Sequence, residues 1–235
     1  SLHDALPISF ILQNTGSKRV ASKHGLLTTI AWQTPDGSIT YALEGSVFVA
    51  GSAVQWLRDG LKVIDSAPAI NGLAESVDDS DGIVFVPALT GLGAPQWDPE
   101  ARGTIFGITR GTTKAHIARA TLEALAFQVR GVVDAIVKDA GQKIRSLRVD
   151  GGAAASNLLL QTQADCLGIP VLRGENLAAT GMGAAMLAGL GAGLWKDFDA
   201  LSNVFSLDRE FTPAPFDENR YVRFNKAIEL TRLFK

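Results

Sequence analysis

The run from Ile144 to Ala192 constrains the fold more than any other part of the chain. Ile144 to Asp150 (IRSLRVD) reads as a strand by its closing residues, GGAAASN turns the chain, and LLLQTQADCLG continues as a helix. A short strand at 170–172 and an Ala/Gly-rich helix at 180–192 follow. A strand–helix–strand–helix succession implies parallel pairing with helices on the sheet faces, because parallel neighbours need a crossover connection. The expected class is therefore α/β.

The first third reads as β structure followed by a helix. Phe10 to Gln13, Leu26 to Trp32 and Thr40 to Leu43 are β-prone, and TPDGS at 34–38 has turn chemistry between the last two. A β-meander is the simplest arrangement. Ser46 to Leu61 has apolar residues at 47, 50, 54 and 57, which is helical spacing, with Gly60 as a stop signal. Gly51 would then lie in mid-helix at a cost of about 1 kcal/mol relative to alanine, which invites a packing or ligand-contact explanation. Downstream, IVFVP at 83–87 and TIFGI at 104–108 read as short strands around the Gly/Pro-rich loop TGLGAPQWDPEARG at 90–103. Lys114 to Ala140 reads as a long amphipathic helix with apolar positions 118, 122, 125, 129, 132 and 136, and the charged tail from Asp217 as a last helix.

Composition excludes some function classes. A hydrophobic content of 46% can fill a core, and a net charge of -2 gives no basic footprint for nucleic acid or an anionic membrane. The single cysteine, Cys166, reads as a small apolar helix residue. With no secretory signal pattern, the expected location is cytoplasmic. Leu177 to Trp195 is uncharged and about long enough for a membrane span, but its glycines and alanines supply little transfer energy, so a buried, closely packed soluble helix is expected.

Val149-Asp-Gly-Gly152 places an acid and two glycines between a strand end and a helix start. Glycines there admit a ligand to the backbone, and the helix start offers N–H groups and a positive dipole end for phosphate. A tight turn that needs glycine for its dihedrals alone gives the same pattern, and the pattern by itself does not separate the two. No G-x-x-x-x-G-K-[ST] occurs. The glycines at 181–183 with Asp199 downstream lack the preceding strand of a dinucleotide fold. His3, His24 and His116 have no partners at metal-ligand spacing, and Glu123 is a carboxylate for which a structural role outweighs an acid–base one.

Three stretches carry a family resemblance: ALEGSVFVAGSAVQWLRD at 42–59, VPALTGLGAPQWDPEARGTIFGITRGTTKAHIARATLEALAFQ at 86–128 and RVDGGAAASNLLLQTQADCLGIPV at 148–171. Together they resemble the C-terminal half of the FGGY carbohydrate kinases, from about Phe10 to the C-terminus. The GLGAPQWDPEARG loop favours glycerol over xylulose or gluconate within that family. The resemblance implies an actin-like ATPase or ribonuclease H-like domain at 10–235, with a mixed central sheet and helices on both faces. It implies ATP with Mg2+ as cofactor, glycerol as acceptor and an N-terminal kinase domain as the partner that carries the catalytic base. It assigns nucleotide contacts to Gly51, Gln55, Gly151, Gly152, Ser156 and Asn157, and a glycerol-packing role to Phe10. Ser156 stands where the family usually has an asparagine. Another FGGY sugar or polyol kinase and a non-catalytic nucleotide-binding or assembly module are the alternatives. Apolar surface facing the partner domain makes a homo-oligomer the expectation.

The opening SLHDALPISF departs from that pattern. Ala5 to Ile8 occupies the place of a Tyr-Gly-Thr-Gly turn of the family, so residues 1–9 are expected to be a non-native or disordered leader, such as a cloning scar or a translated adapter.

Overall fold

The computed structural model describes residues 9–34, 36–204 and 206–234. The leader expected at 1–9 lies outside the described residues except for Ser9, which starts the first strand. Three strands come first: β1 (Ser9–Gly16), β2 (Leu27–Gln33) and β3 (Ile39–Val47). The 34–38 turn forms as expected, with Thr34 N–H donating to Ser38 O at 3.0 Å and Gly37 at φ +86°. The sheet order is β1-β3-β2, with both pairings antiparallel, so the expected meander is corrected: β3 is central. Its burial explains why. Ala42, Leu43 and Val47 are fully covered, and Gly45 lets Val132 of the long helix approach to 2.3 Å from where a Cβ would stand.

The helix expected over 46–61 is shorter. β3 runs to Val47, and α1 (Gly51–Asp59) begins at Gly51, so this glycine is the first helical residue and not a mid-helix one. Val47 and Ala50 extended the apolar spacing beyond the helix proper. Next come α2 (Ala69–Glu75), β4 (Val84–Val86) and β5 (Thr104–Phe106), the last two forming an antiparallel pair.

α3 (Lys114–Ala140) has the expected bounds. His116 Nδ1 accepts the Thr113 N–H at 3.1 Å, a helix-capping contact, and Gly141 closes the helix in the left-handed conformation at φ +65°. Every residue from Ala120 to Phe127 is buried, so this stretch of α3 is enclosed on all sides. Further on, Val132, Val133, Ala135 and Ile136 pack with Ile11, Leu43 and Val47 of the first sheet.

The final sheet joins β6 (Leu147–Val149), β7 (Val171–Gly174) and β8 (Leu207–Phe211). β6 and β7 are parallel across α4 (Asn157–Leu167), as the strand–helix–strand pattern requires, while β8 adds in antiparallel. Leu160 and Ala164 of α4 pack on Val171 and Phe211. Cys166 is buried in the core, and burial pushes its thiol up to about 12, in keeping with an inert packing role.

α5 (Ala179–Gly191) corrects another expectation. It is largely exposed, with Leu187 61% accessible and only Gly189 buried, beneath Trp195. Alanines and glycines give such a helix little apolar area with which to hold a neighbour. No described helix is long and apolar enough to cross a membrane. α6 (Glu218–Leu233) closes the fold against α3 through Tyr221, Phe224 and Ile228. Leu167, the last residue of α4, packs against all three hydrophobic clusters.

Candidate functional site

The turn between β6 and α4 is built around Gly151. Its φ of +83° is a conformation that L side chains rarely adopt, and its N–H donates to Leu177 O at 2.8 Å, which ties the turn to the approach of α5. Gly152 opens a single 3-10 turn to Ala155, and α4 starts after Ser156. A Cβ placed on either Gly151 or Gly152 would meet no atom within 4 Å. The backbone at a helix start therefore faces open space, where N–H groups and the helix dipole favour an anion.

Ser156 is 7% exposed. Its hydroxyl accepts the Leu159 N–H at 3.2 Å as the helix cap and donates to Asn71 Oδ1 of α2 at 2.5 Å. Asn157 is exposed, and its Oδ1 accepts from Arg173 Nη1 at 2.9 Å. Thus four of the expected nucleotide positions, Gly151, Gly152, Ser156 and Asn157, share one turn. Gly51 and Gln55 stand one helical turn apart on α1, on one face. Ala53 and Leu57 of α1 belong to the same core as Ala153, Leu158 and Leu159, so one body of packing carries both segments. Phe10 lies elsewhere, 51% exposed on the outer side of β1 next to Leu12.

Glu123 is structural. It is 4% exposed, and its carboxylate accepts from Arg119 Nε at 3.1 Å and from the Ser80 hydroxyl at 3.1 Å and forms an ion pair with Arg220. Among the described residues no group of three His, Cys, Asp or Glu gathers to hold a metal ion, so these residues do not form a Mg2+ cage.

The second glycine-rich loop, at 90–103, is pinned from several sides. Ala94 N–H donates to Ser46 O at 2.8 Å, and a Cβ on Gly93 would fall 2.1 Å from that same oxygen. Trp97, at φ +46°, donates from its indole to Gly25 O at 2.6 Å and meets Phe48 edge to face. Asp98 is buried against Arg232 of α6 at 3.2 Å. Gly25 is held in its turn by Asp139, near the end of α3. Asp139 accepts from the Ser22 hydroxyl at 2.5 Å and from the Lys23 N–H at 3.0 Å, and meets the His24 ring at 2.6 Å. Burial would raise the Asp139 carboxyl, but the bonds from Ser22, Lys23 and His24 outweigh it and hold the group down at about 2.

Sequence reasoning missed Asn71 and Arg173. Arg173 left one local signal, a charge at the end of the apolar strand PVLRG, next to a glycine.

Residues 9–192 match the model of the FGGY family of carbohydrate kinases, C-terminal domain. The chain is 55% identical to a glycerol kinase of Bdellovibrio bacteriovorus over 225 residues, covering 94% of the chain and 45% of that protein. It is 50% identical to a glycerol kinase of Bacillus subtilis over 229 residues, covering 96% and 46%. Its fold superposes on Plasmodium falciparum glycerol kinase with ADP at a TM-score of 0.84 and 37% identity, covering 94% of the chain and 45% of that protein. A xylulose kinase of Lactobacillus acidophilus, 22% identical with a TM-score of 0.74, covers 94% and 44% and shares the fold. The chain thus spans less than half the length of these relatives. By fold, by the matched residues and by these relatives, the chain belongs to the FGGY family of carbohydrate kinases, as its C-terminal domain.

Proposed function

We propose that this domain binds the ATP of a kinase that converts ATP and glycerol to ADP and sn-glycerol 3-phosphate. The observation that carries this reading is the open backbone at Gly151 and Gly152 ahead of α4. Glycines with nothing above them leave room for a nucleotide against the main chain, and the helix start favours its negative charge. Gly51 and Gln55 on α1, together with Ser156 and Asn157, complete the nucleotide contacts, and Phe10 packs on the glycerol carbons. The Ser156 hydroxyl acts through the cap it forms, because both of its bonds go to protein atoms.

In the transfer, a glycerol hydroxyl oxygen attacks the γ-phosphorus in line, the bond to the β–γ bridging oxygen breaks, and ADP leaves. The hydroxyl proton goes to a carboxylate in the N-terminal domain, the partner of this one. Positioning and charge stabilisation supply most of the rate. Mg2+ bound to the nucleotide phosphates would neutralise their charge during the transfer. The enzyme works in the cytoplasm and self-associates, the latter supported by the exposed Leu27 and Trp32 on β2.

Titration calorimetry of the 235-residue chain with ADP tests the nucleotide site, with saturable binding expected; absence of heat at millimolar ADP overturns it. A coupled assay tests the division of labour. Negligible glycerol-dependent ADP release is expected from the chain alone, and turnover by it would show that the base lies within these residues. A panel of glycerol, xylulose and gluconate on the complete enzyme then separates the acceptors.

A further inference from the structure

We infer that Arg173 is the positioning residue of the nucleotide turn. The proposal rests on the nucleotide reading above and extends it to a side chain bonded to protein acceptors of the turn. Arg173 sits on β7 with its side chain 13% exposed. One Nη1 donates twice, to Ala154 O at 3.1 Å and to Asn157 Oδ1 at 2.9 Å. Those acceptors lie on either side of the Ser156 cap, one in the 3-10 turn and one in the first turn of α4. A planar guanidinium bonded to both fixes the angle between the two turns, and so the direction in which their N–H groups point.

Electrostatics marks the placement as unusual. A cation at a helix N-terminus opposes the positive end of the dipole, so on helix stability alone this is the wrong end for an arginine. Asp208 of β8 offsets the charge through Nε at 2.6 Å, and the guanidinium also lies over the Phe211 ring at 5.4 Å. An anion in the adjacent cradle would offset it further, which makes the brace tighter in the ligand-bound state than in the free one. β8 thereby orients the turn at one remove: Asp208 holds Arg173, and Arg173 holds Ala154 and Asn157.

The test compares the wild-type chain with Arg173→Ala, Arg173→Lys and Asp208→Asn. It uses ADP titration and hydrogen exchange of the amides from Gly152 to Leu159, with those from Ala120 to Phe127 in α3 as the internal reference. Arg173→Ala is expected to weaken ADP by about tenfold and to speed exchange in the turn while α3 stays protected. Arg173→Lys keeps a cationic donor but lacks the separate Nε that Asp208 holds, and should recover part of the affinity; Asp208→Asn should lose less than Arg173→Ala. ADP affinity in Arg173→Ala equal to wild type overturns the proposal while leaving the nucleotide site standing. If the wild type itself binds no ADP, the nucleotide reading falls, and exchange in the turn still decides: unchanged rates in Arg173→Ala overturn the brace. General loss of protection, α3 included, with no recovery in Arg173→Lys, would reduce the residue to a packing role and overturn it as well.

Discussion

Two glycine-rich loops of this domain use the same residue for opposite ends. At 151–152 the glycines face space, whereas at 91 and 93 they are pressed on backbone: a Cβ on Gly91 would lie 2.7 Å from Pro99 and one on Gly93 2.1 Å from Ser46 O. One loop keeps side chains away so that something else can come close; the other lets the protein come close to itself. In sequence the two look alike. Their difference lies in what surrounds them, and it separates a candidate binding turn from a structural joint.

Substitution can break or sharpen this contrast. The largest effect is expected at the joint, where Gly93→Ala sets a methyl group inside the contact distance of a backbone oxygen. Denaturant unfolding should show a loss of about 3 kcal/mol or more, since backbone cannot yield as a flexible side chain can. A variant as stable as wild type would remove the distinction between the loops.

Asp139→Asn comes next. It removes the charge and one of the two acceptor oxygens that hold Ser22, Lys23 and His24, and so loosens the turn whose Gly25 carbonyl receives Trp97. A loss of about 2 kcal/mol is expected near neutral pH. The sign of the pH dependence follows from the depressed carboxyl. Its contribution is present in full above the ordinary value of 3.8 and disappears as pH falls through about 2. The stability gap between wild type and variant should therefore narrow from pH 4 towards pH 2, and a gap constant across that window would count against the clamp.

The smallest effect on stability is expected at the open turn. Gly152 has no left-handed φ and no neighbour for a new methyl group, so Gly152→Ala should unfold within about 0.5 kcal/mol of wild type. The same methyl group intrudes on the proposed ligand, and ADP affinity should fall about tenfold, or ~1.4 kcal/mol. Unchanged affinity would leave the glycine with a conformational role alone.

Much of the fold was legible wherever local pattern and tertiary packing agree. α3 could be read to its ends because its apolar spacing runs from Ala118 to Ile136 and a glycine at 141 stops it. The 34–38 turn and the parallel β6–β7 pair were legible for similar reasons. β8 was not, since Leu207-Asp-Arg-Glu-Phe211 is mostly charged and exposed, and only Phe211 reaches the core. α2 is seven residues long, too short to hold as an isolated helix, and Ile70 and Ala74 anchor it in the main core. The order β1-β3-β2 depends on which strand lies beneath α3, a fact no window of residues contains. Of the site, the glycines and the helix start could be seen in advance. Neither the engagement of the Ser156 hydroxyl by Asn71 nor the bridge from Arg173 to Ala154 could be, because the first pair is 85 residues apart and the second joins two elements across a crossover.

Leu167 gives the domain a property its separate clusters lack. As the one described side chain that packs against all three, it is the place where loosening of one cluster meets the packing of the other two. It is also the far end of α4, about 16 Å along an eleven-residue helix from the turn at Ser156. A rigid rod thus runs from the seam of the core to the rim of the candidate site, and the cooperativity of the whole domain bears on how firmly that rim is held.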